Sequence, residues 1–323
     1  MIKSGSDTDA IAGATIFANP AAGRGNFQRK IAAVRDEFAR WNYCASIVET
    51  GSAEELRSAV RSAIEAGCKT IIAMGGDGTV QLVAQEAIGF QVQIGMIPTG
   101  GGNDFAAALG ISTNIEKAVE VIAHGKTRLV DVVRVPNATG VDAIYLGGGG
   151  AGLDVEALRY ASGKFAKWPG RVRYLASAIA GLRGFRGVQV KVEFPGTDLP
   201  NIAGTALLVA ILNSPSFGGG MRLAPEARVD DGMLDFVMIE MLKKREVLAL
   251  IPRLLIKGEL KTKRMVRARA ANIKLSTAAD SWFQGDGELL GRTPVEINIL
   301  PRALRVLVPQ AKYPRNLVEL SEL

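Results

Sequence analysis

The first third of the chain alternates short apolar runs with longer segments in which apolar positions recur every three or four residues. The short runs predict strands at 15–18, 45–49, 70–74 and 94–97, and the longer segments predict helices at 27–41, 54–66 and 81–88. This alternation is typical of a parallel sheet with helices on its faces. Ligands of such sheets bind beyond the carboxyl ends of the strands, so the loops there are the candidate sites.

From about Leu129 the pattern changes to strand-like runs that are separated by glycine and proline. The predicted strands are 129–135, 143–146, 188–194, 206–212, 234–239 and 273–276, with basic helical stretches near 168–182 and 244–256. This pattern favours an antiparallel, mostly β second domain. We therefore predict domains over 1–127 and 128–305, while the last segment, with a strand at 304–308, fits either domain.

The composition narrows the class of protein. The chain has 323 residues, 48% hydrophobic and 22% charged, which indicates a globular protein of about two domains. Cys44, Cys68 and the single histidine, His124, are too few for a disulfide framework or a four-ligand zinc site. The polar residues after His124 predict the C-terminus of a helix at this position.

The net charge of +7 is unevenly distributed along the chain. Residues 241–275 contain eleven basic and two acidic side chains, and residues 160–191 contain seven basic and no acidic ones. This pattern predicts an anionic partner. The polar start of the chain, with Asp7 and Asp9, does not resemble a secretion signal, and the apolar run 202–212 is too short to span a membrane. We expect a cytoplasmic location.

The strand at 70–74 runs directly into Gly75-Gly76-Asp77-Gly78-Thr79 and then into a helix. Glycines let a backbone approach a phosphate closely, and the start of a helix offers N–H donors and the positive end of its dipole. A plain tight turn explains one or two of these glycines but not Asp77. The Walker sequence is absent, so the loop predicts a phosphate site of another type.

Two more loops follow strands of the same predicted sheet, at 19–25 and 98–105. Because the carboxyl ends of parallel strands meet at one edge, the three loops converge and together predict a site for a nucleoside triphosphate. Asp77 and Asp104 would then lie on the magnesium side of the phosphates, since phosphate-bound Mg²⁺ is usually held by one or two carboxylates and water.

Two acidic clusters in the second domain, Asp230-Asp231-Gly232 and Gly285-Asp286-Gly287-Glu288, have two interpretations. A carboxylate flanked by glycine is often only a turn residue. Phosphoryl transfer to a hydroxyl, however, needs a positioned carboxylate that accepts the proton. The second domain would supply that base across a cleft between the domains.

Five segments carry a resemblance to a known family: Asn19-Pro20-x-x-Gly23-x-Gly25, 75–79, Pro98-x-Gly100-x-x-Asn103-Asp104-Phe105, Leu223-Ala224-Pro225 with 229–232, and 285–288. Their order resembles that of the diacylglycerol kinase catalytic family, which includes soluble bacterial lipid kinases and the sphingosine and ceramide kinases. The resemblance covers about residues 14–309. The 75–79 loop alone also occurs in NAD kinases and phosphofructokinases.

The resemblance implies an α/β nucleotide-binding domain with a parallel sheet similar to that of NAD kinase and phosphofructokinase. It also implies a mostly antiparallel β-sandwich domain for the lipid substrate, with 306–323 returning to the first domain and ATP between the two. The ATP-binding positions that it implies are Asn19, Pro20, Gly23, Thr50, Gly75, Gly76, Asp77, Gly78, Thr79, Val80, Gln81, Gly100, Gly101, Asn103 and Asp104.

The resemblance also implies roles for the acidic clusters. The general base corresponds to Glu288, with Asp286 as the second choice. A structural magnesium site corresponds to the Asp231 carboxylate with the main-chain carbonyls of Arg228 and Met233, and Asp77, Asp104 and Asp231 would form a network around magnesium.

One position departs from the pattern of the family. Gly101 stands where the family usually has Thr or Ser, so a hydroxyl contact to ATP is lost there, and Thr99 is a possible substitute. Because the backbone donors of the loop survive, we expect weaker or altered nucleotide binding rather than inactivity.

The predicted function is ATP- and Mg²⁺-dependent phosphorylation of a lipid hydroxyl by a kinase bound peripherally to an anionic membrane surface. Basic residues, with Phe165, Trp168, Tyr174 and Phe185, would contact the membrane. Diacylglycerol, phosphatidylglycerol, ceramide, sphingosine and monoacylglycerol remain possible acceptors. The alternatives are a kinase of the NAD kinase type and a non-catalytic nucleotide-dependent membrane-binding protein. No nucleic-acid motif is present, and an exposed strand edge is compatible with a homodimer.

Overall fold

The parallel sheet predicted for the first third of the chain is confirmed. In the computed structural model, which describes residues 13–20, 26–137, 142–163, 165, 168, 170–258, 260 and 262–310, the strands lie in the order β2-β1-β3-β4 and pair in parallel. Their bounds are β1 Ala14–Ala18, β2 Ala45–Glu49, β3 Thr70–Gly75 and β4 Gln93–Pro98. The carboxyl ends of these strands therefore lie at one edge of the sheet.

Five helices accompany this sheet: α1 Phe27–Arg40, α2 Ala53–Glu65, α3 Asp77–Ala87, α4 Asp104–Ala108 and α5 Ile115–His124. The Ser52 side chain caps α2 by accepting a hydrogen bond from the Glu55 N–H at 3.1 Å. The end of α5 at His124 confirms the predicted helix C-terminus. The prediction for α3 was wrong at its start, because the helix begins at Asp77 and not at residue 81.

The second part of the chain is mostly antiparallel, as predicted. Its strands are β5 Lys126–Val135, β6 Ala143–Tyr145, β7 Gly148–Gly152, β8 Val188–Glu193, β9 Ile202–Leu212, β10 Ser216–Phe217, β11 Met221–Arg222, β12 Leu234–Glu240, β13 Met265–Ala270, β14 Asn272–Thr277, β15 Trp282–Gly285, β16 Glu288–Arg292 and β17 Val295–Val308. The main path runs β16-β15-β7-β9-β8-β14-β17, and β12 pairs with β9 and β13. A core of mostly β-branched and aromatic side chains lies between these strands.

Three helices belong to this second part: α6 Leu153–Ser162, α7 Gly170–Gly181 and α8 Lys244–Lys257. Their apolar side chains pack against β9 and β12 in a separate hydrophobic cluster that includes Leu153, Leu182, Leu207 and Ile239. The Lys244 Nζ donates a hydrogen bond to the carbonyl of Arg183. The start of α8 is therefore linked to the chain just after α7.

The last strand connects the two halves of the molecule. In β17, Ile297 pairs with Ile273 in the antiparallel part, whereas Val306 pairs in parallel with Ile94 of β4. The strand that ends at Val308 therefore extends the parallel sheet. The predicted boundary at 127/128 stays a prediction, and residues 311–323 lie outside the described residues.

Asp131 of β5 lies at the junction of these elements. It is fully buried, and its carboxylate accepts hydrogen bonds from the N–H groups of Gly232 at 2.7 Å and Arg302 at 2.8 Å. Its own N–H donates to the Val229 carbonyl at 2.7 Å. One side chain thus fixes the loop before β12 and the bend within β17.

We expect Asp131→Asn to lower the free energy of unfolding by about 2–4 kcal/mol. An amide NH₂ would replace one carboxylate oxygen, so two hydrogen-bond donors would face each other where that oxygen now accepts a hydrogen bond from a backbone N–H. Urea unfolding at pH 7 measures the change. Asp36→Asn, at an exposed position of α1, is the matched control and should change the stability by less than about 0.5 kcal/mol. Equal stability of the two variants would contradict this role of Asp131.

Candidate active site

Two of the predicted nucleotide loops touch through glycines. A Cβ atom on Gly100 would lie 2.5 Å from the Gly76 Cα, and one on Gly76 would lie 3.3 Å from the Gly100 Cα. The Thr99 N–H also donates to the Gly75 carbonyl at 2.8 Å. A side chain at Gly100 would therefore separate the two loops, which explains the need for glycine.

Asn103 and Asp77 hold the third loop in place. The Asn103 side chain accepts from the Gly100 N–H at 3.1 Å and donates to the Gly100 carbonyl at 2.8 Å. The Asn103 N–H donates to Asp77 Oδ2 at 2.7 Å. Burial raises the pKa of Asp77, and the hydrogen bonds from the Asn103 and Phe105 N–H groups oppose that shift. The carboxylate at the start of α3 is thus bound to the start of α4.

Other predicted nucleotide positions lie at the same edge of the sheet. Thr50 is buried and its N–H donates to the Ala18 carbonyl, while the Asn19 N–H donates to the Met74 carbonyl. Pro20 and Gly101 are exposed, and a Cβ atom on Gly78 would meet no atom within 4 Å. The predicted position Gly23 lies outside the described residues.

The first turns of α3 face the second domain. Thr79, Val80 and Gln81 are buried, and the Gln81 Nε2 donates to the carbonyl of Ile144 at 2.5 Å. The side chain of Gln81 therefore bonds to the backbone at the end of β6. The helix that begins in the glycine loop is attached directly to the antiparallel domain.

Asp286 is bound by three successive backbone N–H groups. Its Oδ2 accepts from Leu146 at 2.6 Å, and its Oδ1 accepts from Gly147 and Gly148 at 3.0 Å each. Burial raises the pKa of Asp286 to about 7, against the opposing effect of these hydrogen bonds, and the nearby charge of Asp77 raises it further. The carboxylates of Asp286 and Asp77 therefore influence each other across the two domains.

The turn between β15 and β16 carries both predicted catalytic residues. Its central residues, Asp286 and Gly287, have φ values of 49° and 90°, and Gly285 pairs with Glu288. This is the arrangement that an Asp-Gly pair favours in a two-residue hairpin. Glu288 is exposed, and within the described residues its carboxylate has no hydrogen bond or ion pair. The turn thus presents one fixed and one unconstrained carboxylate.

A cavity of about 170 Å³ joins the acidic loops to an apolar interior. Asp77, Asp104 and Asp286 line its acidic end, where Asp104 Oδ2 also accepts from the Gly219 N–H at 2.7 Å. Most of the remaining wall comes from apolar side chains on or directly after α6, α7, α8, β9, β10 and β12, which include Leu158, Leu175, Ala178, Leu182, Leu207, Phe217, Ile239, Val247 and Leu250. Glu288 is not among the lining residues.

Asp154 is a site residue that the sequence reasoning missed. It lines the cavity from the first turn of α6, and its Oδ2 accepts from the Gln284 Nε2 at 3.0 Å, while its buried Oδ1 has no hydrogen-bond partner among the residues that the structure describes. Burial raises the pKa of Asp154 to about 6. The Gln284 Oε1 accepts from the Gly287 N–H at 3.0 Å, so Asp154 is linked to the catalytic turn. The available signal was an acidic residue two positions after the glycine-rich run 147–152.

The predicted structural magnesium residues lie elsewhere. Asp231 Oδ1 accepts from the Met233 N–H at 3.1 Å, and Asp231 Oδ2 pairs with the Arg269 Nη2 at 2.6 Å. The Arg228 Nε lies 3.5 Å from the Asp230 Oδ1. Asp231 is not among the cavity-lining residues, so the structure brings Asp77 and Asp104 together with Asp286 and not with Asp231. The magnesium site at 228–233 stays a prediction.

The residues at the acidic end fit a nucleotide with Mg²⁺. Asp77 stands at the start of α3, where helix N–H groups and the helix dipole favour phosphate oxygens, and Asp104 lines the same cavity. Among the described residues, no three His, Cys, Asp or Glu side chains are placed so that they could hold a metal ion together. A set of two carboxylates suits Mg²⁺, which keeps water and phosphate oxygens as its other ligands.

The fold combines an α/β domain that has a parallel sheet with a mostly antiparallel β-sandwich domain. Residues 13–135 match the diacylglycerol kinase catalytic domain, and residues 149–308 match the YegS C-terminal NAD kinase beta sandwich-like domain. The chain belongs to the diacylglycerol kinase catalytic family. At the level of the family it is a lipid kinase.

Relatives match over nearly the whole chain. The chain is 29% identical to a diacylglycerol kinase of Bacillus subtilis, covering 93% of this chain and 97% of that protein. It is 28% identical to a diacylglycerol kinase of Mycobacterium tuberculosis, covering 92% and 95%. A crystal structure of a diacylglycerol kinase from Bacillus anthracis superposes with a TM-score of 0.70 at 19% identity, covering 92% and 97%, which supports the fold.

Among the helices of the described residues, none combines the length and the apolar character that crossing a bilayer requires.

We expect Asp154→Asn to increase stability at pH 8 but not near pH 4. The pKa of Asp154 is raised from 3.8 to about 6. Between these pH values the folded protein keeps the Asp154 carboxyl protonated, whereas the unfolded chain has lost that proton. Stability therefore falls as the pH rises from 4 to 6, by up to about 3 kcal/mol. The neutral amide removes that loss, and urea unfolding at both pH values measures the difference.

Asp198→Asn, at an exposed position, is the matched control and should show no pH-dependent gain. An Asp154→Asn variant that is destabilised equally at pH 4 and pH 8 would show that this carboxylate carries no uncompensated charge.

Proposed function

We propose that the protein transfers the γ-phosphoryl group of ATP, with Mg²⁺, to a primary hydroxyl of diacylglycerol or a related glycerolipid or sphingolipid. This proposal rests on one observation: Asp77, Asp104 and Asp286 lie at one end of a cavity, and most of the remaining wall of that cavity is apolar. A lipid has the same division into a polar head and an apolar chain. The lipid kinase names of the relatives support the proposal.

The loops of the first domain would hold the nucleotide. The start of α3 would offer backbone N–H groups to the phosphates, and the contact between Gly76 and Gly100 keeps the 98–105 loop beside it. Asp77 and Asp104 would face the Mg²⁺ that neutralises charge on the transferring phosphoryl group. Gly101 adds no hydroxyl, so phosphate binding depends on the backbone of this loop.

The cavity would orient the acceptor. Apolar side chains such as Leu175 and Leu207 would surround an acyl chain, and the Asp154 Oδ1 is available for a hydrogen bond from a polar group of the lipid head. The hydroxyl that reacts would then lie near Asp77 and Asp286. This orientation places the chain away from the nucleotide loops.

We assign the proton acceptor to the 285–288 turn, with Glu288 as the base. The Asp286 carboxylate is engaged by three N–H groups, which suits a residue that holds the turn. Glu288 is exposed and does not line the cavity, so its side chain would rotate toward the cavity to reach the hydroxyl. Asp286 is the second candidate, because a pKa of about 7 suits a general base and its side chain lines the cavity.

The helices around the cavity would contact an anionic membrane surface. Exposed apolar side chains on or beside them are Tyr160, Trp168, Val172, Ile179 and Leu248. Exposed basic residues near them are Arg183, Arg186, Lys243, Lys244 and Arg245. Basic residues add about 1 kcal/mol each near an anionic surface. Lys164, Lys167 and the Tyr174 side chain, also predicted to contribute, lie outside the described part of the structure.

Phosphate transfer from γ-labelled ATP with Mg²⁺ to a panel of lipids in mixed micelles, with NAD in a parallel tube, tests the proposal. We expect label in at least one lipid with a free primary hydroxyl and none in NAD. Label in NAD alone would support a soluble-substrate kinase. ATP binding without transfer to any acceptor would support the non-catalytic alternative.

Ala157→Phe connects that assay to the cavity, because Ala157 lines it from α6. The larger side chain should raise the KM for long-chain lipids about ten-fold while leaving ATP binding unchanged. Ala249→Phe, at an exposed position of α8, is the matched control. Equal activity of both variants on long-chain lipids would contradict an acyl chain in this cavity.

Glu288→Gln and Asp286→Asn separate the roles of the two carboxylates. We expect Glu288→Gln to lower kcat by about 100-fold or more while leaving ATP affinity and thermal stability unchanged. Asp286→Asn should lower kcat, and it should lower stability at pH 5, where the wild-type carboxyl is protonated and carries no charge, because an amide cannot accept all three backbone hydrogen bonds. Full activity of Glu288→Gln would remove Glu288 from the role of base, and an unchanged melting temperature of Asp286→Asn at pH 5 would contradict its structural role.

A further inference from the structure

A second groove lies on the other side of α6 from the catalytic cavity. Leu153 and Ala157 of this helix line the cavity, whereas Val155 and Arg159 line the groove. The groove has a volume of about 790 Å³, and its other walls come from the start of β8, from residues 278–282 and from the β15–β16 hairpin. This volume is within the range of small-molecule sites, which is about 300–1,000 Å³.

Two ion pairs line the groove. The Arg159 Nη1 lies 3.3 Å from the Glu156 Oε2, and the Arg292 Nη1 lies 2.9 Å from the Asp280 Oδ2. The side chains of Arg159 and Arg292 are 71% and 49% exposed. Exposed ion pairs contribute little to stability, so these four charges can exchange partners for a ligand at small cost.

Apolar surface adjoins these charges. Trp282 and Leu289 are 37% and 44% exposed and line the groove together with Phe185. The guanidinium carbon of Arg292 lies 4.5 Å from the centre of the Trp282 ring, so one wall combines a cation with an aromatic surface. A ligand that fits this wall has both a charged and an apolar part.

We propose that this groove binds the headgroup of a zwitterionic membrane phospholipid, one that carries a phosphate and a primary ammonium. The two guanidinium groups would bind the phosphate, the two carboxylates would bind the ammonium, and Trp282 and Leu289 would contact the glycerol and the first acyl carbons. A purely anionic headgroup would lie beside two uncompensated carboxylates. Phe185 belongs to the basic segment 160–191, which makes the groove continuous with the surface proposed to face the membrane.

The groove is linked to the catalytic turn through the hairpin. Leu289 pairs with Gln284 across the two strands, and the Gln284 side chain binds both Asp154 and the Gly287 N–H. A lipid in the groove would hold this hairpin against α6 and so restrict the turn that carries Asp286 and Glu288. We expect such a lipid to raise activity about five-fold, an effect that rests on the proposed function.

Direct binding tests the groove without any need for turnover. The chain has three tryptophans, so Trp41→Phe with Trp168→Phe leaves Trp282 as the fluorescent reporter. Titration with a short-chain phosphatidylethanolamine, below its critical micelle concentration, should give a saturable fluorescence change. Arg159→Gln with Arg292→Gln should weaken binding about ten-fold or more, whereas Lys191→Gln, outside the groove, should not.

Three outcomes would overturn the proposal: no saturable change, equal affinity for phosphatidylglycerol of the same chain length, or equally tight binding of free phosphoethanolamine. The last result would identify a soluble metabolite and not a membrane lipid as the ligand.

Activity provides the second readout. Adding phosphatidylethanolamine to the mixed micelles should stimulate the wild-type enzyme, and Arg159→Gln with Arg292→Gln should lose the stimulation but retain basal activity. Equal stimulation of both proteins would overturn the link between the groove and the turn. If no lipid were phosphorylated, the proposed function would fail while the binding titration would still decide whether the groove is a site.

Discussion

The hydrogen bonds from the backbone N–H groups of residues 146–148 to the Asp286 carboxylate are the interaction on which the acidic end of the cavity depends. Hydrogen bonds to an ionised group contribute about 1.5–3 kcal/mol each, so three of them are of the same order as the several kcal/mol that burying a carboxylate costs. Burial outweighs these hydrogen bonds, which is why the pKa of Asp286 is raised to about 7. A small change in surroundings, such as a phosphate nearby, would therefore change the protonation of Asp286.

The segment that binds Asp286 also connects the two domains. The carbonyl of Ile144 accepts from Gln81 of α3, and the carbonyl of Leu146 accepts from the Asn213 side chain at the end of β9. The five residues 144–148 are thus attached both to the helix that begins at the 75–79 loop and to the turn that carries the candidate base. A shift of α3 on nucleotide binding would reach the turn through two hydrogen bonds. This short path gives a physical reason for a transfer site built from two domains.

Much of the fold was predictable because its strands contain β-branched residues and its helices have a clear apolar period. β7 was not, because Gly148–Gly152 has no such signal. A Cβ atom on Gly149 would lie 2.7 Å from the Gln284 carbonyl oxygen, so the close approach of β15 requires glycine and removes the strand pattern. The start of α3 was missed for a related reason, since the glycines of its first turn have low helix propensity. In both cases the residues that form the site lack the usual local signals.

The candidate site was predictable where the residue types and spacing of a motif indicate its chemistry. It was not predictable where the role of a residue depends on its burial in the folded protein. The glycine loops and the 285–288 turn stand out in the sequence, whereas Asp154 looks like an ordinary acidic residue of an amphipathic helix until Gln284 and the cavity surround it. Gly101 shows the opposite case. It stood out as a departure, but it is exposed and the shape of its loop is held by Asn103, which binds Gly100 and Asp77. The missing hydroxyl therefore removes a contact to the ligand and leaves the framework of the loop intact.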